Sequence, residues 1–208
     1  MESAAKFYVS NHYARIILRG YEEVLGRERL SRMLQRAHLD LWLADFPPEN
    51  LAREISFASC SALGIALEEM YGLRGGCGLS VRAGRAAFTE LLQTFDTQLG
   101  VDRLSFKLLP LREKLGAGLY AIADLLEKIS DQPAVVTQQG DRFFFTVQRC
   151  ASCWGREQLE RPICCLMTGI LQESVKWLSG GQDWCIVETR CLARGDAVCE
   201  FEIPKTVA

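Results

Sequence analysis

The period of the hydrophobic pattern in this chain first changes close to Pro133. Up to about residue 130, apolar side chains return every three or four residues, which is typical of amphipathic helices. After residue 134 they alternate with polar side chains over short runs, which is typical of half-buried strands. We therefore predict an α+β fold, in which N-terminal helices pack on a small antiparallel sheet and a late helix precedes a terminal β-hairpin.

The helical half divides into several predicted segments. Residues 13–43 predict two short helices with a break near Gly26. Proline suits the first helical turn but disfavours helical geometry in the residue before it, so a third helix is predicted from about Pro48 to Tyr71. A glycine-rich connector over 72–78, a helix from Gly84 to Leu99 and a helix from Pro110 to Ser130 are predicted next.

Two hairpins and a helix are predicted in the second half. Gly140-Asp141 suits a tight turn between strands at Ala134–Gln139 and Arg142–Arg149. A helix over Pro162–Leu178 follows, and Gly195 lies at the centre of a hairpin formed by Trp184–Glu188 and Ala197–Ile203. We expect one domain over residues 1–208, with a helical part at about 11–130 and a sheet part at about 134–203.

Composition excludes several classes of protein. Hydrophobic residues make up 49% and charged residues 24%, which is ordinary for a globular protein and excludes disorder. The formal net charge of −2 provides no global positive field, so we expect no nucleic-acid partner. Residues 1–8 lack the features of a signal peptide, and no apolar run is long enough to span a bilayer. We expect a cytoplasmic protein without membrane insertion.

Cysteines are numerous and unevenly placed. The chain has nine, of which only Cys60 and Cys77 lie in the first half. The others are Cys150, Cys153, Cys164, Cys165, Cys185, Cys191 and Cys199. An odd number without an export signal argues against a complete disulfide framework. Metal binding or packing in the core is the expected explanation.

The last hairpin predicts a pair of metal ligands. Cys191 and Cys199 lie at equal distances along the chain from Gly195, so a hairpin centred there places them opposite each other, within reach of one tetrahedral ion. Spacing alone favours completing the set with Cys150 and Cys153, because thiolates three residues apart are common in zinc sites. The doublet Cys164-Cys165 and Glu188 are further candidates. Spacing does not settle which four residues bind.

A family resemblance narrows the choice. Cys165-Leu-Met-Thr-Gly169, followed by Glu188-Thr-Arg-Cys191 and by Gly195-Asp-Ala-Val-Cys199, resembles the signature of the 4-vinyl reductase domain family. The resemblance is strong over residues 134–203 and weaker over 11–130. Members of this family resemble trafficking-complex subunits that hold an acyl chain and sensor domains of bacterial regulators that respond to phenols and other aromatic hydrocarbons.

The resemblance implies a zinc site formed by Cys165, Glu188, Cys191 and Cys199, because four residues at this spacing bind zinc in those sensors. The motif's Cys-x-x-x-Gly spacing selects Cys165 rather than Cys164. Glu188 and Cys191 are separated by an odd number of residues, so a bulge or strand end at Thr189-Arg190 is required to bring them to one face. Three thiolates and a carboxylate form a closed set, which implies a structural clamp between the late helix and the terminal hairpin.

The inventory of reactive groups is small. His12 and His38 are the only histidines, and no nucleotide or flavin fingerprint is present, so we expect no catalytic residues. Aromatic side chains are more prominent, and the candidate ligand-binding residues are Phe143, Phe144, Phe145 and Trp154. A largely apolar pocket suits a planar hydrocarbon or an acyl chain.

The predicted function is a zinc-stabilised domain that binds an apolar ligand, either a hydrocarbon, an aromatic compound, an acyl chain or a tetrapyrrole, as a sensor or carrier. The alternative implied by the family is an 8-vinyl (4-vinyl) reductase or an accessory factor in bacteriochlorophyll biosynthesis. A third class is an interaction subunit without an exchangeable ligand. A homodimer and a partner protein for signalling are expected, while the identity of the ligand and the pathway stay open.

Overall fold

The computed structural model describes residues 6–100 and 104–206. Its helices are α1 (Asn11–Leu25), α2 (Arg27–Arg36), α3 (Phe57–Leu99), α4 (Leu104–Lys107), α5 (Leu111–Ile129) and α6 (Cys165–Leu178). Its strands are β1 (Tyr8–Ser10), β2 (Arg53–Ser56), β3 (Ala134–Gln139), β4 (Arg142–Val147), β5 (Val187–Arg190) and β6 (Cys199–Pro204). The predictions that rest on residues 1–5, 101–103 and 207–208, including part of the N-terminal segment 1–8, lie outside the described residues.

The predicted α+β class is confirmed. A four-stranded antiparallel sheet has the strand order β3-β4-β6-β5, so the two predicted hairpins pair through β4 and β6 at the centre. Helix α6 precedes the terminal hairpin, as predicted. A second small sheet pairs β1 with β2, which joins the start of the chain to the segment before α3.

The first two helices follow the sequence prediction closely. The Ser10 side chain accepts a hydrogen bond from the Tyr13 N–H at 3.3 Å and caps the start of α1. Gly26 has a φ of 75°, a conformation that glycine adopts at little cost, and it separates α1 from α2. The predicted break near Gly26 is confirmed.

Helix α3 differs from the prediction. The segment before it is strand β2, and the Ser56 side chain accepts from the Ser59 N–H at 3.1 Å to begin the helix at Phe57 rather than at Pro48. The predicted connector over 72–78 is wrong, because helical structure resumes after one kinked residue, Gly72, with a φ of 72°. Beyond the kink Gly76 lies against the backbone of the first half of α3, a contact that the glycine-rich sequence permits.

Glycines bring α3 and α6 into backbone contact. A Cβ added at Gly84 would overlap the carbonyl oxygen of Leu166, and one added at Gly169 would overlap the carbonyl oxygen of Val81. The first turns of α6 are therefore held directly against the middle of α3. This contact positions the start of α6, which carries the cysteine doublet.

Strand β4 buries alternate aromatic side chains. Phe143 and Phe145 are fully buried, whereas Phe144 on the other face is half-buried. Phe143 packs beside Gly116 of α5, and the Lys205 ammonium lies 4.9 Å from its ring centroid. The predicted alternation is therefore present, and these rings join the sheet to α5.

None of the helices within residues 6–100 and 104–206 combines the length and the apolar character that a bilayer span requires.

Candidate metal centre and adjoining cavity

Six potential ligand groups converge between the start of α6 and the terminal hairpin. They form two overlapping sets, and within each set the ligand atoms lie within 4.8 Å of one another. One set is Cys164, Glu188, Cys191 and Cys199, and the other is Cys150, Cys153, Cys164 and Cys199. All five of these cysteines are buried.

Local structure explains why Cys150 and Cys153 point the same way. The chain leaves β4 and forms a short 3-10 helix at Ala151–Cys153, with Cys150 as the residue before it. Side chains three residues apart lie on one side of a 3-10 helix. The Cys150 Sγ lies 3.5 Å from the Cys164 Sγ, and the Cys153 Sγ lies 3.5 Å from the Cys199 Sγ.

The terminal hairpin brings Glu188 and Cys191 to one face through an irregular register. Glu188 pairs with Phe201 and Arg190 pairs with Glu200, so the register shifts by one residue between them. This is the bulge that the odd separation of Glu188 and Cys191 requires, and that prediction is confirmed. Cys191 follows directly after Arg190 and lies beside Cys199.

The cysteine doublet is divided between two roles. Cys164, the residue before α6, places its Sγ 3.8 Å from that of Cys191 and 3.6 Å from that of Cys199. Cys165, the first residue of α6, forms a disulfide with Cys77 of α3, with a Cα–Cα separation of 5.3 Å. The structure therefore corrects the predicted set, because Cys164 stands where Cys165 was expected. Successive helical residues point about 100° apart, so only one member of the doublet faces the cluster.

Glu188 lies at the edge of the cluster with one oxygen available. Its Oε2 accepts a hydrogen bond from the Cys164 N–H at 2.8 Å, while its Oε1 is buried without a partner among the described residues. Burial raises the pKa of Glu188 to about 9. A buried carboxyl oxygen without a donor is a position suited to a metal ion.

The thiols strongly influence one another. Hydrogen bonds from neighbouring thiols hold the pKa of Cys150 and of Cys191 below the usual range of cysteine, and the bond with Cys153 makes the largest contribution to both. Among the described residues no lysine or arginine hydrogen-bonds to a sulfur of this cluster. Buried thiolates without a cation are costly, so a bound metal ion is the natural source of positive charge.

Backbone contacts around the cluster orient its members. The Asp196 carboxylate accepts a hydrogen bond from the Cys191 N–H at 2.8 Å, and the Leu192 N–H donates to the Cys199 Sγ at 3.4 Å. Groups of this kind, one shell outside the ligands, typically fix ligand orientation in metal sites. The residues present therefore fit a tetrahedral metal ion.

Two small cavities lie beside the same end of α6. One of about 30 Å³ lies between α1, α3 and the start of α6. Its lining consists of Tyr13, Ala14, Ile17, Trp42, Ile55, Cys60, Leu63, Gln132, Ala151, Ser152 and Leu166. A second of about 20 Å³ shares Cys60, Ser152 and Leu166 with it and also touches Cys77 and Cys165.

The lining of the first cavity is mainly apolar with a few polar groups. Burial raises the pKa of Cys60 to about 12 and that of Tyr13 well above its usual range, so both groups are neutral at pH 7. Gln132 is buried, and its Oε1 accepts from the Ala151 N–H at 2.8 Å. The Tyr13 hydroxyl makes no hydrogen bond with another described residue, which leaves it available to a guest molecule.

The four aromatic residues predicted to bind a ligand lie elsewhere. Phe143, Phe144 and Phe145 belong to β4, and none of them lines either cavity. Trp154 packs edge-on against Phe7 at 5.2 Å between ring centroids. Sequence reasoning missed the actual lining because its members come from several segments that are distant along the chain, and no local pattern marks them.

These observations define an α+β domain in which a buried cluster of cysteines that could hold a metal ion lies beside a mainly apolar cavity. Residues 143–205 match the family model of the 4-vinyl reductase domain, which confirms the predicted resemblance for this part of the chain. The comparison with curated proteins gave no match.

Solved structures resemble the chain over most of its length. An H-NOX protein from K. algicida aligns with a TM-score of 0.62 and 11% identity, covering 96% of this chain and 97% of that one. An oxygen-binding H-NOX domain related to soluble guanylate cyclases aligns with a TM-score of 0.57 and 10% identity, covering 93% and 95%. The phenol-responsive sensory domain of the transcription activator PoxR aligns with a TM-score of 0.50 and 14% identity, covering 70% and 74%. The chain therefore shares the fold of these H-NOX proteins and of the PoxR sensory domain.

Proposed function

We propose that this chain is a non-catalytic binding domain, in which a zinc clamp holds α6 to the terminal hairpin and the adjoining cavity receives a small apolar ligand. The observation that carries the proposal is the position of α6. Cys164 belongs to the metal-type cluster, and Leu166, two residues later, lines the cavity. A ligand that displaces Leu166 would therefore act on the same turn of helix that the clamp holds.

Zinc is the ion that suits this donor set best. Thiolate ligands favour Zn²⁺ over Mg²⁺ or Ca²⁺, and closed sets of four protein ligands are typical of structural sites. Cys164, Glu188, Cys191 and Cys199 would hold it. Bound there, the ion would neutralise the thiolates and join the start of α6 to both strands of the terminal hairpin.

The cavity indicates a ligand with an apolar body and one polar group. The Tyr13 hydroxyl supplies a hydrogen-bonding position on a mainly apolar wall. Phenolic compounds have this character, and PoxR, which shares the fold, is described as phenol-responsive. We propose a phenol-sized aromatic compound as the ligand class to test first.

Ligand entry requires the cavity to expand. A volume of about 30 Å³ holds about one water molecule, whereas an apolar cavity that binds benzene measures about 150 Å³. Trp42 lies in the short 3-10 helix Asp40–Leu43 and is only half-buried, and its neighbour Leu41 is 90% exposed. We propose that this segment moves aside to admit the ligand.

Heme does not fit this cavity. Other H-NOX structures among the matches concern heme distortion, but in this chain both histidines lie away from the cavity. His38 is exposed, and His12 packs against Phe95 at 5.7 Å between ring centroids.

The alternative function, reduction of a vinyl tetrapyrrole, stays a prediction that rests on the family resemblance alone. A tetrapyrrole is much larger than a phenol and would require still greater expansion of the cavity. Incubation of the protein with a vinyl tetrapyrrole and a reductant, followed by mass analysis of the pigment, tests this alternative directly.

Thermal unfolding with candidate ligands tests the binding proposal. Phenol, a fatty acid and a porphyrin would each be added to the full chain, and phenol is expected to raise the melting temperature by several degrees near saturation. Ala14→Leu fills the cavity and should abolish this shift, whereas Leu108→Ala at an exposed position should preserve it. If no compound shifts the melting temperature of the unaltered chain, the proposal is wrong.

A further inference from the structure

The two overlapping ligand sets share two cysteines. Cys164 and Cys199 belong to both, and their Sγ atoms lie 3.6 Å apart. Cys150 and Cys153 belong only to one set, and Glu188 and Cys191 belong only to the other. A single tetrahedral ion uses only four of these six groups.

The sulfur separations match the edges of zinc tetrahedra. With a Zn–S distance of about 2.3 Å, the edge of a regular tetrahedron is about 3.8 Å. The Sγ atoms of Cys150 and Cys164 lie 3.5 Å apart, and those of Cys164 and Cys191 lie 3.8 Å apart. These sulfur pairs thus already lie close to tetrahedral spacing, and all ligand atoms within each set lie within 4.8 Å of one another. The two sets share Cys164 and Cys199.

We propose that the cluster binds two Zn²⁺ ions, with Cys164 and Cys199 as bridging thiolates. Cys150 and Cys153 complete the coordination of one ion, and Glu188 and Cys191 complete that of the other. The inference deepens the zinc clamp of the proposed function and rests on it. The second ion attaches the segment after β4 to the clamp, so four parts of the chain meet at one centre.

A second ion compensates the charge of a second pair of bound thiolates. Each Zn²⁺ carries two positive charges, so an ion bound by Cys150 and Cys153 offsets the charge that these two thiols acquire on metal binding. The cysteines are buried, and uncompensated charge there is costly. The buried Glu188 Oε1 without a partner also gains a ligand role in this arrangement.

An iron–sulfur cluster does not suit this geometry. Such clusters require inorganic sulfide between the metal ions in addition to terminal thiolates. Here the ligand atoms of each set lie within 4.8 Å of one another, and the Sγ atoms of Cys164 and Cys199 are 3.6 Å apart. Ligand atoms this close can share one ion directly, which leaves no room for sulfide-bridged metal ions between them.

Metal stoichiometry of the full chain tests the inference. Protein prepared anaerobically with zinc would be measured by native mass spectrometry and elemental analysis, and two zinc ions per chain are expected. The variant Cys150→Ser/Cys153→Ser should retain one ion, because the other set is intact. Cys185→Ser, which changes an exposed thiol outside both sets, should retain two and serves as the matched control.

The outcomes separate this inference from the proposed function. One ion in the unaltered chain, retained in the double variant, overturns the two-ion centre but leaves the clamp. No bound ion overturns both. Titration of the unaltered chain with Co²⁺ is a second measurement, which does not depend on whether the variants fold. We expect saturation at two Co²⁺ ions per chain, with magnetic coupling between the ions once the second has bound. Saturation at one ion per chain overturns the inference.

Discussion

Cys164 and Cys165 are adjacent in the chain but belong to different structures: Cys164 faces the sulfur cluster, and Cys165 is joined to Cys77 of α3. The beginning of α6 therefore connects the metal-type centre with the longest helix. Leu166 extends the same turn to the cavity. The predictions below test these connections separately.

Replacement of each cysteine of the doublet should have distinct effects. Cys164→Ser should lower zinc affinity by more than about 100-fold, because changes outside the ligand shell already cost about 10- to 100-fold. Cys165→Ser removes the disulfide but should leave zinc affinity unchanged. Competition with a zinc chelator measures both. Loss of zinc in Cys165→Ser with retention in Cys164→Ser would restore the original sequence prediction.

Asp196 should support the centre without binding the ion. Asp196→Ala removes the acceptor of the Cys191 N–H and should weaken zinc binding by about 10- to 100-fold. Asp183→Ala, at an exposed carboxylate outside both ligand sets, is the control and should leave zinc affinity unchanged. Chelator competition again provides the measurement, and equal affinities in the two variants would refute an orienting role for Asp196.

The contact between α3 and α6 should tolerate no added methyl group. Gly169→Ala places a Cβ against the Val81 carbonyl oxygen and should destabilise the fold by about 1–3 kcal/mol. Gly78→Ala, in the same helix as Val81 but with open space around it, should stabilise by up to about 1 kcal/mol. Urea unfolding measures both changes. Equal stabilities would show that the helices are not in backbone contact.

Alkaline pH should destabilise the fold through Cys60. Its pKa is about 12 in the folded chain, against an ordinary value of 9.0, because burial disfavours the thiolate. The unfolded chain therefore loses this proton first, so the contribution to stability is complete below pH 9 and is lost as pH rises from 9 towards 12. The slope for one group is at most about 1.4 kcal/mol per pH unit.

Cys60→Ala provides the control for the pH experiment. Urea unfolding at about pH 8, 9.5 and 10.5 should show a smaller loss of stability in this variant than in the unaltered chain. Cys60 lies outside both metal sets, so the comparison cancels changes at the cluster. The same pH dependence in both proteins would show that the Cys60 thiol ionises as readily as in the unfolded chain.

Local patterns predicted most of the secondary structure. Alternation of Phe143, Phe144 and Phe145 identified β4, and the observed β3 begins and ends where predicted. Gly26 marked a true break because its positive φ ends α1. These features depend on neighbours in the sequence, which a single chain displays directly.

Features set by tertiary contacts were not predictable in the same way. Gly76 looks like a residue of a flexible connector, but it lies in α3 and packs against the backbone of Leu67 and Glu68 in the first half of that helix. The choice of Cys164 over Cys165 depends on where α6 begins, to within one residue. The family spacing pointed to the terminal hairpin, beside which the cysteine cluster lies, but it carries no information about the disulfide between Cys165 and Cys77.

A metal ion is expected to clamp the start of α6 to the terminal hairpin. A crystal structure with anomalous data collected at the zinc absorption edge is the decisive experiment. We expect an anomalous peak in contact with the sulfurs of Cys164, Cys191 and Cys199 and with the Glu188 carboxylate. A map without a peak at these residues, from protein prepared with zinc, would show that no such clamp exists.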